Sequence, residues 1–116
     1  MKLITYARNS EELQAGRHAG ANEVILSHLE LSRLGVLDDQ AIEKLASEAT
    51  RFDLRPILEW DILMRPEDFE RAVSVLRRVN LALFAAIRVQ DPGALHFALR
   101  ELPNLSIQLV LETGNH

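Results

Sequence analysis

The sequence predicts an α/β fold of parallel βα repeats, with five strands and four helices. Short apolar runs of strand length alternate with segments of helical period along the whole chain. A helix-capping residue or a first-turn proline stands at the beginning of each helical segment. Because a helix separates each strand from the next, the connections are expected to be right-handed crossovers between parallel neighbours.

The strands are expected where apolar residues follow one another without a helical period. Five such runs occur, at residues 3–7, 23–26, 56–61, 83–89 and 106–111. They have the length that is common for strands of globular proteins. Their spacing along the chain is irregular, which argues against a solenoid of equal repeats.

Capping residues predict where the first two helices begin and end. Asn9 or Ser10 caps the first helix, and glutamates follow in its first turn, where the helix dipole favours carboxylates. Gly20 is placed to end this helix, because glycine adopts the left-handed conformation that often follows the last helical turn. Asp38 or Asp39 caps the second helix.

Prolines mark the beginnings of the other two helices. Pro66 stands at the first position of the third helix, and Asp91 followed by Pro92 opens the fourth. The last three helices each carry an apolar stripe at helical spacing. The stripes are Ile42, Leu45, Ala46, Ala49 and Phe52; Phe69, Ala72, Val73, Leu76 and Val79; and Leu95, Ala98, Leu99 and Leu102.

Two architectures fit this alternation: an open doubly wound sheet and part of a closed barrel. Residues 8–12, which follow the first strand, read Arg-Asn-Ser-Glu-Glu and contain no glycine-rich phosphate loop. This favours the first half of a TIM-type (β/α)8 barrel, which needs about 250 residues when complete. We expect one domain over residues 1–116, an incomplete barrel with two open edges, and an origin as a fragment or a split domain.

Composition narrows the classes of function. The chain has no cysteine, which excludes disulfides, thiolate catalysis and cysteine-ligated zinc or iron–sulfur centres within it. Its formal net charge of -4 gives no support to nucleic-acid binding. No signal peptide is recognisable, and no apolar stretch approaches the roughly 20 residues of a membrane span. A cytoplasmic location is therefore expected.

Polar residues at the strand ends are the candidate site, because barrel active sites lie at the carboxyl ends of the strands. The predicted substrate-binding residues are His28, Glu59, Asp61, Arg88, Gln90 and Glu112. Glu59 and Asp61 stand two apart on a strand, so they face the same side. They either share a pocket, where like charges raise one pKa, or face outward or pair with Arg8 or Arg88 in a structural network.

The sequence gives less support to a metal site or a catalytic nucleophile at the strand ends. His28 and His116 could join Glu59 or Asp61 as metal ligands, but no tight histidine spacing supports a metal site. Asp91 is most simply explained as a helix cap. No serine stands in a nucleophile elbow, so no catalytic residue is assigned.

Five stretches of the sequence resemble the front part of the peptidase U32 family. The most specific is residues 86–93, Ala-Ile-Arg-Val-Gln-Asp-Pro-Gly. The others are residues 9–13 running into 18–26, residues 34–39, residues 56–63 and residues 103–109. The resemblance covers nearly the whole chain and implies the N-terminal (βα)4β portion of a U32-like barrel.

The resemblance also implies a function. The family includes collagenase-like peptidases, which are hydrolases, and hydroxylation factors for RNA bases and quinone rings. Some members carry an iron–sulfur cluster on cysteines further along the chain, which this sequence lacks, so no cofactor is expected here. We expect a substrate-binding portion that is inactive alone and pairs with a missing C-terminal half-barrel. The alternatives are a self-associating interaction or regulatory module and, less well supported, a small doubly wound domain that binds a phosphorylated ligand.

Overall fold

The computed structural model describes residues 3–61 and 65–110 of the chain. Strands and helices alternate, as the sequence predicts. The strands are β1 (Ile4–Tyr6), β2 (Glu23–Ser27), β3 (Arg55–Trp60), β4 (Ala86–Val89) and β5 (Ser106–Leu109). The helices are α1 (Ser10–His18), α2 (Asp39–Arg51), α3 (Pro66–Arg78) and α4 (Pro92–Glu101), and a 3-10 turn at Leu81–Leu83 precedes β4.

The five strands form one parallel sheet in the order β1-β2-β3-β4-β5. A sequential order arises when every right-handed crossover places its helix on the same face of the sheet. A doubly wound sheet would reverse its order at a switch point, so that alternative is wrong. The sheet is not closed, and β1 and β5 form its two edges. The predicted fold class, an incomplete barrel of five strands and four helices, is confirmed.

The main core lies between the sheet and the helices. Successive strand residues face opposite sides of a sheet, so every second residue of β2 to β4 faces the helices. These residues are Val24, Leu26, Leu58, Trp60, Ile87 and Val89, all buried in one cluster with the apolar faces of the four helices. Each fully buried Leu or Ile in this cluster contributes roughly 1.5–3 kcal/mol.

The opposite side of the sheet, which we call the concave face, carries the other set of strand residues. Ile25, Ile57 and Ala86 lie in one row across β2, β3 and β4 and form a small separate apolar cluster. Glu59 and Arg88 occupy the next row toward the carboxyl ends of the strands. The concave face is therefore apolar in its middle and polar near the strand ends.

The predicted helix caps are confirmed. Of the two candidates for each of the first two helices, Asn9 caps α1 and Asp38 caps α2. The side chain of Asn9 accepts a hydrogen bond from the Glu12 backbone, and that of Asp38 accepts one from Ala41. Asp91 accepts from the backbone N–H groups of two residues in the first turn of α4. Each cap satisfies donors that the helix itself leaves unpaired.

Gly20 ends α1 in the way its position predicts. Its φ of 92° lies in the left-handed region that glycine enters without steric cost. The Ala21 N–H donates to the Gly16 carbonyl at 2.9 Å, and the Gly20 N–H donates to the Arg17 carbonyl at 3.0 Å. These two bonds define a Schellman cap and turn the chain from α1 into β2.

Two details of the sequence prediction are wrong. β4 begins at Ala86, three residues later than predicted, because Leu83 ends a 3-10 turn and residues 84–85 connect that turn to the strand. The sequence predicts Leu99 on the buried stripe of α4, but Leu99 is 61% exposed, and the buried residues of this helix are Ala94 and Ala98. Small alanines allow α4 to lie close to the sheet, and Leu99 then points away from it. The end of the predicted fifth strand, at Leu111, lies outside the described residues.

None of the helices within residues 3–61 and 65–110 is both long enough and apolar enough to cross a membrane.

Candidate substrate-binding cleft at the strand ends

A cleft of about 850 Å³ lies at the carboxyl ends of the first four strands. Parallel strands place these ends at one rim of the sheet, so side chains that are distant in sequence meet there. Residues 33–37 of the connection between β2 and α2 form one wall of this cleft. The polar residues of the strand ends that line it are Tyr6, Arg8, Ser27, Glu59, Asp61 and Gln90.

Glu59 is the most buried of these polar groups, with only 5% of the residue exposed. Three hydroxyl groups donate hydrogen bonds to its carboxylate. Ser27 and Ser32 donate to Oε1 at 3.0 and 3.1 Å, and Tyr6 donates to Oε2 at 3.3 Å. Charge-assisted bonds of this kind offset the cost of removing a carboxylate from water. Glu59 and its three hydroxyl donors are called the Glu59 cluster below.

Tyr6 is electrostatically coupled to the carboxylates of the cleft. Partial burial raises the pKa of its hydroxyl, and the negative charge of Glu59 raises it further. The positive charge of Arg88 acts in the opposite direction and lowers the same pKa. Arg88 lies on β4, three strands away from β1, and shares the concave face with Tyr6.

Arg88 stands next to Glu59 but has no hydrogen-bond acceptor for its Nε among the described residues. The two residues are register partners on β3 and β4. The Arg88 Nε is buried without an acceptor, and its guanidinium forms no ion pair within residues 3–61 and 65–110. A buried donor without an acceptor costs roughly 1–3 kcal/mol. The hydroxyl donors satisfy Glu59, and the neighbouring cation is left with unused donors.

Asp61 belongs to the same cleft but has its own donors. The Arg33 backbone N–H donates to Asp61 Oδ1 at 3.0 Å, and the Arg33 Nε lies 3.8 Å from Oδ2. The Asp61 N–H in turn donates to the Leu31 carbonyl at 2.9 Å. These bonds fasten the β2–α2 connection to the end of β3. Both carboxylates of the predicted pair therefore reach one cleft, each held by a different set of groups.

The β2–α2 connection reaches this position through a close backbone contact. A side chain at Gly35 would collide with the carbonyl group of His28, so only glycine fits there. Leu37 pairs with the backbone on either side of His28, through the Leu29 N–H and the Ser27 carbonyl. The connection thus returns to the sheet and carries Ser32 and Arg33 over the strand ends.

His28 lies away from the cleft, on the helix side of the sheet. It is buried, and its Nδ1 accepts a hydrogen bond from the Glu30 N–H at 3.0 Å. Its Nε2 therefore carries the proton and donates to Asp39 at 2.7 Å. Arg78 of α3 donates to the same carboxylate at 2.8 Å. The bonds from Arg78 and then from His28 lower the pKa of Asp39 to about 2.

A second cleft, of about 680 Å³, lies between α3 and α4 on the outer side of the molecule. Phe69 and Phe97 line it, with ring centroids 5.5 Å apart in an edge-to-face arrangement. Trp60 packs beneath both rings as part of the core. This cleft is separated from the strand ends by the sheet and contains none of the predicted site residues.

The structure thus brings together most of the predicted site. Glu59, Asp61 and Gln90 line the cleft, and Arg88 shares their face of the sheet. His28 does not join them, and Glu112 and His116 lie outside the described residues. Sequence reasoning missed Tyr6, Ser32 and Arg33 as members of the site.

The described residues were also compared with the requirements of a metal site and of an iron–sulfur cluster. Residues 3–61 and 65–110 contain no group of three or more histidine or carboxylate side chains arranged to hold a metal ion. A cysteine-ligated iron–sulfur cluster does not fit this chain, because the sequence has no cysteine.

The fold and the cleft define a class: half of a TIM-type barrel with a polar cleft at the carboxyl ends of its strands. Among solved structures, this fold matches the U32 peptidase Mk0906 with a TM-score of 0.67 and 13% sequence identity. The match covers 97% of this chain and 49% of that chain, so this chain spans about half the length of the U32 peptidase. No family model matches the sequence, and no curated protein matches it. The fold expected from the U32 resemblance is confirmed.

Proposed function

We propose that this chain is the substrate-binding half of a U32 peptidase-like barrel and that it binds peptides at the strand-end cleft. The observation that carries the proposal is the buried Glu59 cluster beside Arg88, whose Nε has no acceptor among the described residues. A peptide main chain offers both N–H donors and carbonyl acceptors, which are the groups that a carboxylate and a guanidinium bind. The fold shared with a U32 peptidase supports the choice of a peptide.

The rest of a barrel would complete the site. The solved U32 peptidase is about twice as long as the part that this chain matches. The remaining strands of such a barrel would pair with the open edges of β1 and β5 and close over the concave face. Under this proposal the chain alone binds substrate but turns none over, and it works with a second half-barrel in the cytoplasm.

The test is a titration of the isotope-labelled chain with peptides from denatured collagen, followed by amide chemical shifts. We expect the largest shifts at Tyr6, Ser27, Glu59 and Gln90, and a weakened response in the Glu59→Gln variant. Glu70→Gln, at an exposed position on α3, is the control and should leave the response unchanged. Shifts confined to the cleft between α3 and α4, or release of peptide fragments by the chain alone, would contradict the proposal.

The second candidate function is a self-associating module, and the exposed apolar edges favour it. Ile4 on β1 is 44% exposed and Leu109 on β5 is 43% exposed. Both edges also present unpaired backbone groups. A two-fold axis parallel to the strands would place β5 of each copy beside β1 of the other. Both open edges would then close at the same time, giving a barrel of two chains.

Sedimentation velocity distinguishes this candidate. A closed pair of chains predicts a dimer at micromolar concentration that Ile4→Lys or Leu109→Lys converts to folded monomers. Leu99→Lys is the control, since Leu99 is 61% exposed on α4 and lies on no edge. A monomer at all concentrations would refute the module and leave the first proposal intact.

A further inference from the structure

Arg88 is a charged residue of the concave face whose hydrogen-bond donors find no acceptor in the described part of the chain. Its Nε is buried without an acceptor, and its guanidinium forms no ion pair with any described residue. Arginine at such a position is well suited to a planar oxyanion, which it binds through two parallel hydrogen bonds. Gln108, its register partner on β5, occupies the same row and offers an amide beside it.

The neighbouring Glu59 restricts which anion fits. Its carboxylate stands on the adjacent strand in the same row and repels any anion bound at Arg88. A doubly charged phosphate suffers this repulsion twice over. A singly charged carboxylate with an N–H donor next to it suffers less, because its N–H can donate to Glu59 while its oxygens accept from Arg88.

The C-terminal residue of a peptide has both groups on one α-carbon. We infer that the pair formed by Glu59 and Arg88 is a subsite for the free C-terminus of a peptide, with Arg88 holding the carboxylate and Glu59 accepting from the last N–H. The inference rests on the proposed function, since it names the part of the peptide that the cleft recognises. Tyr6 donates to Glu59 Oε2 at 3.3 Å and lines the same cleft, so we expect its ring to contact the same residue of the ligand.

The test compares two forms of one probe, the tripeptide acetyl-Gly-Pro-Ala with a free carboxylate and with a C-terminal amide. Binding is followed by the amide shifts of the cleft residues in the whole chain. We expect the free acid to bind at least about tenfold more tightly than the amide, as loss of a charge-assisted pair implies. Arg88→Met should abolish this preference. Arg71→Met, at an exposed position on α3, should retain it.

These variants distinguish a loss of the C-terminus subsite from unfolding of the chain. Arg88 has no hydrogen-bond or ion-pair partner among the described residues, so Arg88→Met should stay folded. Arg88→Lys should keep part of the preference as a point charge. Equal binding of acid and amide at the cleft would overturn the subsite but leave the peptide-binding proposal standing. Absence of binding by either form would overturn both. Competition by inorganic phosphate at the same concentration as the peptide would show a general anion site and contradict the inference.

Discussion

At the scale of single residues, the central feature is the set of hydrogen bonds that holds the buried carboxyl group of Glu59. Ser27, Ser32 and Tyr6 supply hydroxyl donors, so the carboxylate needs no cation and Arg88 stays available. A buried carboxylate that paired with its neighbouring arginine would leave little to offer a ligand. Glu59 and Arg88 instead lie side by side on adjacent strands of one face without an ion pair between them.

Replacing Glu59 by glutamine should lower the pKa of Tyr6. The charge of Glu59 raises that pKa in the native protein, so its removal moves the value back toward the ordinary 10.0. The chain has a single tyrosine, and an alkaline titration of phenolate absorbance therefore reports Tyr6 alone. Glu70→Gln should leave the titration unchanged. A Tyr6 pKa that does not move in Glu59→Gln would show that the two groups do not interact.

The same variant should also be less stable. Glutamine replaces one carboxylate oxygen by an NH2 donor that faces hydroxyl donors, and we expect a loss of about 1–3 kcal/mol in the free energy of unfolding. Urea denaturation followed by the fluorescence of the single tryptophan, Trp60, measures it. An unchanged midpoint would mean that water, and not the three hydroxyls, satisfies Glu59.

At the scale of elements, His28, Asp39 and Arg78 join the β2–α2 connection to α3. Asp39 has a native pKa of about 2, below its ordinary value of 3.8. A group with a depressed native pKa stabilises the fold fully above its ordinary value, and this contribution is lost as pH falls from about 4 to about 2. Asp39→Asn should cost about 1 kcal/mol at neutral pH, a modest figure because the side chain is 37% exposed and screened by solvent.

Unfolding in urea at a series of acidic pH values tests the Asp39 network. The stability difference between the native chain and Asp39→Asn should shrink as pH falls through that window. Glu70→Gln, at an exposed position on α3 beyond its first turn, should run parallel to the native chain throughout. A difference that is constant with pH would indicate a loss of packing and not of the ion pair.

The cap that ends α1 gives a second prediction for an element. Gly20→Ala should destabilise the chain by about 1 kcal/mol, because an L-residue at a φ of 92° is strained. Space is not the cause, since a Cβ there would meet only Leu3 at 3.7 Å. Gly20→Asn should cost less, as asparagine tolerates the left-handed region. Chemical denaturation of both variants checks the order, and an equal loss in both would contradict the cap.

Sequence reasoning recovered the elements because each has a local cause. Caps at Asn9, Asp38 and Asp91 and the proline at the start of α3 satisfy helix ends whatever lies around them. The exposure of Leu99 was not foreseeable, because the face that α4 presents depends on how closely Ala94 and Ala98 approach the sheet.

The members of the strand-end cleft were only partly predictable, because some of them meet through tertiary contacts. Alternation along β2 already indicates that Ser27 and His28 face opposite sides, so the separation of His28 from Glu59 could have been read from the sequence. The contact between Tyr6 and Glu59 could not, since it depends on the register of β1 against β2 and β3. Ser32 and Arg33 reach the cleft through the return of the β2–α2 connection, which is a tertiary contact.

At the scale of the whole molecule, the open sheet connects the fold to the proposed function. A sequential parallel order gathers five strand ends at one rim, and it leaves two edges without partners. The rim supplies the cleft where we propose that a peptide binds, and the edges are where a second half-barrel or a second copy would pair. The central claim is that substrate recognition occurs on the concave face, at the Glu59 cluster.

The most direct measurement of that claim is a set of intermolecular NOEs between the ring of Tyr6 and bound acetyl-Gly-Pro-Ala. Tyr6 is the single tyrosine, so its ring signals are assigned without ambiguity. The account predicts NOEs from this ring to the C-terminal alanine of the peptide. NOEs from the peptide to Phe69 and Phe97 in the cleft between α3 and α4, with none to Tyr6, would contradict it.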